Sequence, residues 1–237
     1  MSDDHAPLRR LRYAREQDLA EALATEIAGD LRRAVTLRGT ASLVVSGGRT
    51  PRPLLRALAR QDLPWANLWV TLADERWVTP AAPDSNQRLV AETLLQGPAG
   101  AARFVPLKTP HGSPEAGQQA CQQALETIPR PFDMVVLGLG EDGHTASLFP
   151  GATGLEAALD PRGRALCAAI RPPGELQPRM SLTLAALLDS RRLVLHLTGE
   201  AKHQALEHAL QPGPAESMPI RAVLRACRVA IDVYWSP

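Results

Sequence analysis

The chain has 237 residues, 45% hydrophobic and 22% charged, enough apolar material to bury a real core and too much for a disordered chain. A formal net charge of +1 gives no broad positive field, which argues against nucleic acid or an anionic membrane as partner; an anionic ligand must be held by local residues. Three scattered cysteines, Cys121, Cys167 and Cys227, with no CxxC, point to reduced thiols in a cytoplasmic protein rather than a disulfide framework.

The acidic start, residues 1–5, has no apolar h-region of the kind a signal peptide carries. Leu19, Leu23, Ile27, Leu31 and Val35 then recur every four residues, the stripe of an amphipathic helix that Gly39 is placed to end. Ala41-Ser42-Leu43-Val44-Val45 is short and valine-rich, which predicts a buried strand. The turn Ser46-Gly47-Gly48-Arg49-Thr50-Pro51 follows, with Pro51 suited to the first position of a helix carrying Leu54, Leu55 and Leu58.

The cycle repeats down the chain. A strand is predicted over 68–72, and Ser85 can cap a helix containing Leu89, Val90 and Leu94. A weaker strand at 104–107 precedes a helix over 114–125, and 132–139 reads as the strongest strand. Later strands are expected at 164–170, 192–197 and 229–234, with a helix over 199–210. Alternating strands and helices imply parallel strands joined by right-handed crossovers. No run approaches the ~18 apolar residues of a membrane span. No fixed-period repeat or domain-separating linker appears, so one three-layer α/β domain over residues 1–237 is expected, with a mainly parallel, Rossmann-like sheet. Nothing in the pattern specifies an oligomeric state.

Ligands in such sheets bind beyond the carboxyl ends of the strands, where three segments stand out. In the first, Gly47 and Gly48 let backbone N–H groups face an anion, Thr50 adds a hydroxyl, and a helix N-terminus follows. This is either a phosphate cradle or an ordinary strand-to-helix turn; without Gly-Lys-Ser/Thr it is no Walker A loop. In the second, Asp74-Glu75-Arg76-Trp77-Val78, bunched charges either solvate a loop or line a site. There Arg76 would stabilise negative charge and Asp74 would accept from sugar hydroxyls.

The third segment runs from Gly138 to Gly151. Gly138, Gly140 and Gly143 spell the GxGxxG of a dinucleotide site, but Pro150-Gly151 stops the required helix after about two turns. What the segment supplies is His144, expected at the start of a short helix whose N-terminus keeps the ring neutral, beside Asp142 and Glu141. A carboxylate there would fix its tautomer, giving a general base. His5 and His111 fall in loops, His196 in a strand, His203 and His208 on one helix. No His, Cys or carboxylate set has metal spacing, and no Gly-x-Ser-x-Gly elbow is present. Of 26 basic residues only Lys108 and Lys202 are lysine, so each can mark a position that wants a compact ammonium.

Taken together, SGGRTP at 46–51, DERWV at 74–78, DSNQRL at 84–89 and GLGEDGHTASLFPG at 138–151 resemble the 6-phosphogluconolactonase family. PRMSLTL at 178–184, GEAKHQAL at 199–206 and MPIRAVL at 218–224 extend the match in the family's order. The resemblance implies a fold shared with glucosamine-6-phosphate deaminases and ribose-5-phosphate isomerases. It further implies cofactor-free hydrolysis of a small phosphorylated sugar lactone, 6-phospho-D-glucono-1,5-lactone, in the oxidative pentose phosphate pathway. By the same resemblance His144 is the base, Gly47, Gly48 and Thr50 face the phosphate with Arg179 and Lys202, and Arg76 lies near the reacting end. Arg49 departs from the smaller residue of many relatives and either joins the phosphate site or points to solvent. The nearest rival is an amino-sugar phosphate deaminase or isomerase, whose pattern carries Asn-Glu where this chain has Ser147-Leu148-Phe149. A nicotinamide-dependent oxidoreductase and a non-catalytic sugar-phosphate sensor are the remaining alternatives.

Overall fold

The computed structural model describes residues 7–174 and 176–237; the acidic start and His5 lie outside them. β1 (Leu8–Arg12) leads into α1 (Glu16–Arg38). Leu19, Leu23, Ile27 and Leu31 of α1 are at most 1% exposed, each burial worth roughly 1.5–3 kcal/mol. Gly39 ends the helix in the left-handed region, φ 77°, and donates its N–H to Val35 O. The chain continues through β2 (Ala41–Val45), α2 (Pro51–Ala59), β3 (Leu68–Leu72), β4 (Asp74–Arg76) and α3 (Asn86–Thr93). Next come β5 (Arg103–Val105), α4 (Pro114–Leu125), β6 (Met134–Leu137), α5 (Leu155–Ala158) and β7 (Cys167–Ile170). The remainder is β8 (Arg179–Leu182), α6 (Leu184–Leu188), β9 (Leu193–Thr198), α7 (Glu200–Leu210), α8 (Ile220–Ala226) and β10 (Ile231–Ser236).

Seven strands form a parallel sheet in the order β1-β10-β9-β6-β2-β3-β5. From β1 the chain steps one way across the sheet through β2, β3 and β5. It then returns through β6, β9 and β10. Right-handed crossovers put helices of opposite stepping direction on opposite faces; α1, α2 and α3 accordingly pack in series, and α8 packs against α6 and α7. The order reverses between β2 and β6, and a crevice opens at their carboxyl ends. Buried side chains from both sheets and the helices join in one core cluster. Among the described residues, no helix is long and apolar enough to cross a membrane.

Most predicted elements form, Ser85 capping α3 through Arg88 N as expected, and the sheet is mainly parallel. Three differences matter. β1 was not foreseen, because LRRLR is an arginine-rich edge strand without a buried run. The DERWV segment is not a solvated loop: β4 pairs antiparallel with β8, and β8 with β7, in a second, three-stranded sheet. The expected helix after Gly143 does not form. Gly143 (φ 83°) and Ala146 (φ 49°) take left-handed conformations that no right-handed helix accommodates. Instead Gly140 N bonds His144 O at 2.9 Å and Thr145 Oγ1 donates to Gly138 O at 2.8 Å, folding the segment back on itself.

Candidate active site

A cleft of about 490 Å³ opens at the switch point. It brings together the Gly47-Gly48-Thr50 turn, Asp74 and Arg76 of β4, Asp142 and His144, Arg179 of β8 and Lys202 of α7. Every residue the sequence singled out for the site lines this one cleft.

At one end, Gly48 holds φ 93°, a conformation that favours glycine. Thr50 occupies the N-cap position of α2 without a side-chain capping bond, and the helix's first turn carries no acid, which leaves its positive end to favour an anion. Lys202 Nζ donates to Thr50 Oγ1 at 2.9 Å, and Thr50 shares a 3.1 Å hydroxyl contact with Thr198. Burial holds the Lys202 ammonium below the usual lysine range, and the Arg49 charge acts the same way, opposed by Glu141 and Glu16. Arg49 is exposed on the cleft rim, and among the described residues it has no acidic partner. An anion in this corner would relieve both cations.

At the other end, His144 Nδ1 lies 2.5 Å from Asp142 Oδ1, which also accepts from His144 N at 3.1 Å. Burial raises the Asp142 carboxyl, but its bonds and attraction to His144 outweigh that and hold it below the usual range. A carboxylate can only accept, so in the neutral ring Nδ1 carries the proton and Nε2 keeps its lone pair. Gly140 makes room for the pair: a Cβ there would fall 2.1 Å from the imidazole ring. Phe149 stacks on His144 at 4.2 Å between centroids and also lies beneath the Arg179 guanidinium, 5.2 Å away. The helix expected to begin at His144 does not form, and the ring is held by the Asp142 carboxylate and the Phe149 stack.

β4 and β8 set Arg76 opposite Arg179 in register. Asp74, 6% exposed, accepts from Ser147 Oγ at 2.5 Å and stands 3.6 Å from Arg179 Nη1. Desolvation lowers the Arg179 pKa against the pull of Asp74, and its Nε and the Nε of Arg76 are buried without partners. Two guanidiniums short of acceptors in one wall suit a negatively charged occupant. Three further residues belong to the site though nothing in the sequence singled them out for it. Asn86 and His196 line the cleft, His196 as a buried imidazole that feels the Lys202 charge, and Phe149 stacks on His144. Asn86 sat within a quoted motif but gave no signal of its own. Among the described residues, no group of His, Cys, Asp or Glu forms a metal cluster.

The fold is thus a doubly wound α/β sheet whose switch-point crevice brings together a carboxylate-paired histidine and a cationic corner. Residues 14–235 match the family described as glucosamine-6-phosphate isomerases/6-phosphogluconolactonase, and the chain belongs to that family. A 6-phosphogluconolactonase of Rhizobium meliloti is 45% identical over 219 residues, 92% of this chain and 94% of the relative. The crystal structure of a 6-phosphogluconolactonase from Shewanella baltica superposes with TM-score 0.94 at 43% identity, covering 99% of both chains. A monomeric glucosamine-6-phosphate deaminase shares the fold at 18% identity and TM-score 0.78. Relatives at this identity and coverage make the chain an enzyme of the carboxylic-ester hydrolase class.

Proposed function

We propose that this protein hydrolyses 6-phospho-D-glucono-1,5-lactone to 6-phosphogluconate in the oxidative branch of the pentose phosphate pathway. It would act in the cytoplasm as one domain spanning the chain and without a cofactor. The observation that carries the reading is the 2.5 Å Asp142–His144 pair set in the same cleft as the Lys202–Thr50 corner. A lactone with phosphate at one end and an ester carbonyl at the other needs two such clusters.

The phosphate binds the Gly47-Gly48-Thr50 turn, Lys202 and Arg179, with Arg49 closing the rim, and this fixes the ring's orientation. His144 Nε2 takes a proton from water as that water attacks the lactone carbonyl, a role typically worth ~10²–10⁴-fold. Asp142 stabilises the imidazolium that forms. Arg76 stabilises the oxyanion of the tetrahedral intermediate, and Asp74 accepts from a sugar hydroxyl. The ring oxygen then leaves, protonated by the imidazolium, and the acid product carries the new hydroxyl. The deaminase alternative lacks its carboxylate: Ser147 is fully buried and bonded to Asp74, and Leu148 is in the core.

The test is proton release from freshly generated 6-phosphogluconolactone, measured against its spontaneous opening. A rate many-fold above background is expected, with no ammonia released from glucosamine 6-phosphate. A rate equal to background would reject the assignment.

A further inference from the structure

Asn86 touches the Gly47 turn and the β4 wall of the cleft and has no part in the chemistry so far. It opens α3, and its backbone N–H donates to Glu75 Oε1 at 2.8 Å. The same carboxylate, 1% exposed, accepts from Gln87 N at 2.7 Å, Arg76 N at 2.8 Å and Ser85 Oγ at 3.2 Å. Helix and β4 are thereby held as one piece. The Asn86 side chain, on a residue only 2% exposed, adds a second tie: Nδ2 donates to Asp74 O at 2.8 Å. A carbonyl can only accept, so this bond fixes which way the carboxamide is turned.

Oδ1 therefore faces the other way, buried and without a hydrogen-bond partner. What it meets is the backbone of Gly47. A Cβ built on Gly47 would fall 1.9 Å from Oδ1, 2.1 Å from Cγ and 2.5 Å from Nδ2, and all three nearest atoms belong to Asn86. Unlike Gly48, Gly47 does not occupy the left-handed region. Its lack of a side chain is demanded by the approach of Asn86, not by its own backbone.

We infer that Asn86 is a positioning residue: a rigid strut whose carboxamide, anchored on the carbonyl of Asp74, sets the distance between the Gly47 turn and the strand carrying Asp74 and Arg76. This rests on the reading of the Gly47 turn as the phosphate cradle. Its consequence is that the Gly47 turn and the β4 wall of the cleft are spaced by one amide rather than by loop packing. Truncating the strut frees the turn and weakens its hold on phosphate before it alters chemistry at His144.

The geometry gives a coupling test, because the three atoms nearest a side chain at 47 all belong to Asn86 and leave with it. Wild type, Asn86→Ala, Gly47→Ala and the double variant are compared by inorganic phosphate titration calorimetry, by lactone kinetics and by urea unfolding. Asn86→Ala is expected to weaken phosphate binding and raise KM about 10-fold, with kcat changed less than 3-fold. Gly47→Ala alone is expected to cost at least as much, and the double variant to be no worse than Asn86→Ala. Should Asn86→Ala fail to fold, Asn86→Ser removes the same oxygen from the Gly47 contact with a smaller change. Multiplying losses in the double variant, a harmless Gly47→Ala, or a fall in kcat with KM unchanged would each overturn the strut. A wild type that binds no phosphate would reject the cradle itself, and the unfolding cycle would still report whether positions 47 and 86 are coupled.

Discussion

At the scale of single residues, the cleft's cations are distinguished by what they lack. Among the described residues, Lys202 is half-buried and bonded only to a hydroxyl, and Arg179 carries a buried Nε with no acceptor. If both grip phosphate, they bind substrate before and during reaction alike, so their loss should appear mainly in KM. Lys202→Ala and Arg179→Ala should each lose ~1.5–3 kcal/mol, roughly 10- to 150-fold in kcat/KM. Hydrolysis of unphosphorylated gluconolactone should scarcely change. Equal losses on both substrates would show that these residues serve the fold or the chemistry instead. Lys202 was legible in the sequence because a lysine in so arginine-rich a chain invites a reason. Asn86 was not, since its role depends on Gly47 approaching from a different strand end.

At the scale of elements, β9 carries a liability. His196 is 2% exposed with neither ring nitrogen hydrogen-bonded, and burial, aided by the Lys202 charge, pushes its pKa down to about 3. The unfolded chain binds a proton there below pH ~6.5, while the folded chain does not until about pH 3. Stability therefore falls as pH falls through that window, by up to ~5 kcal/mol from this residue. Urea unfolding at pH 7.5 and pH 4 should show His196→Leu gaining more over wild type at the lower pH. Parallel pH dependences would contradict a neutral His196. Elements whose cause is local were readable: α4 has Ser113 accepting from Ala116 N and Pro114 in its first turn. β4 was not readable, because three charged residues become a strand only through pairing with β8, more than a hundred residues away. The segment after Gly143 misled for the opposite reason. Its residues permit a short helix, but the reversal that brings His144 O to Gly140 N requires left-handed turns instead.

At the scale of the whole molecule, the reversal of strand order between β2 and β6 makes one crevice out of segments spread from Gly47 to Lys202. The alternation of strands and helices foretold a mainly parallel sheet, and the quoted motifs held the loops that line the crevice at its carboxyl edge. What the sequence did not carry was spacing: the small antiparallel sheet that holds Arg76 against Arg179, and the carboxamide that holds Asp74 off the Gly47 turn. On the proposed reading, this crevice binds a phosphate at one end and activates water with His144 at the other. Its most direct test is the turnover of 6-phosphogluconolactone by His144→Ala, alongside phosphate titration of the same variant. A kcat lowered by roughly 10²-fold or more, with phosphate affinity and thermal unfolding as in wild type, is the result predicted. Near-full turnover by that variant would contradict the claim and leave the water-activating group to be sought elsewhere in the cleft.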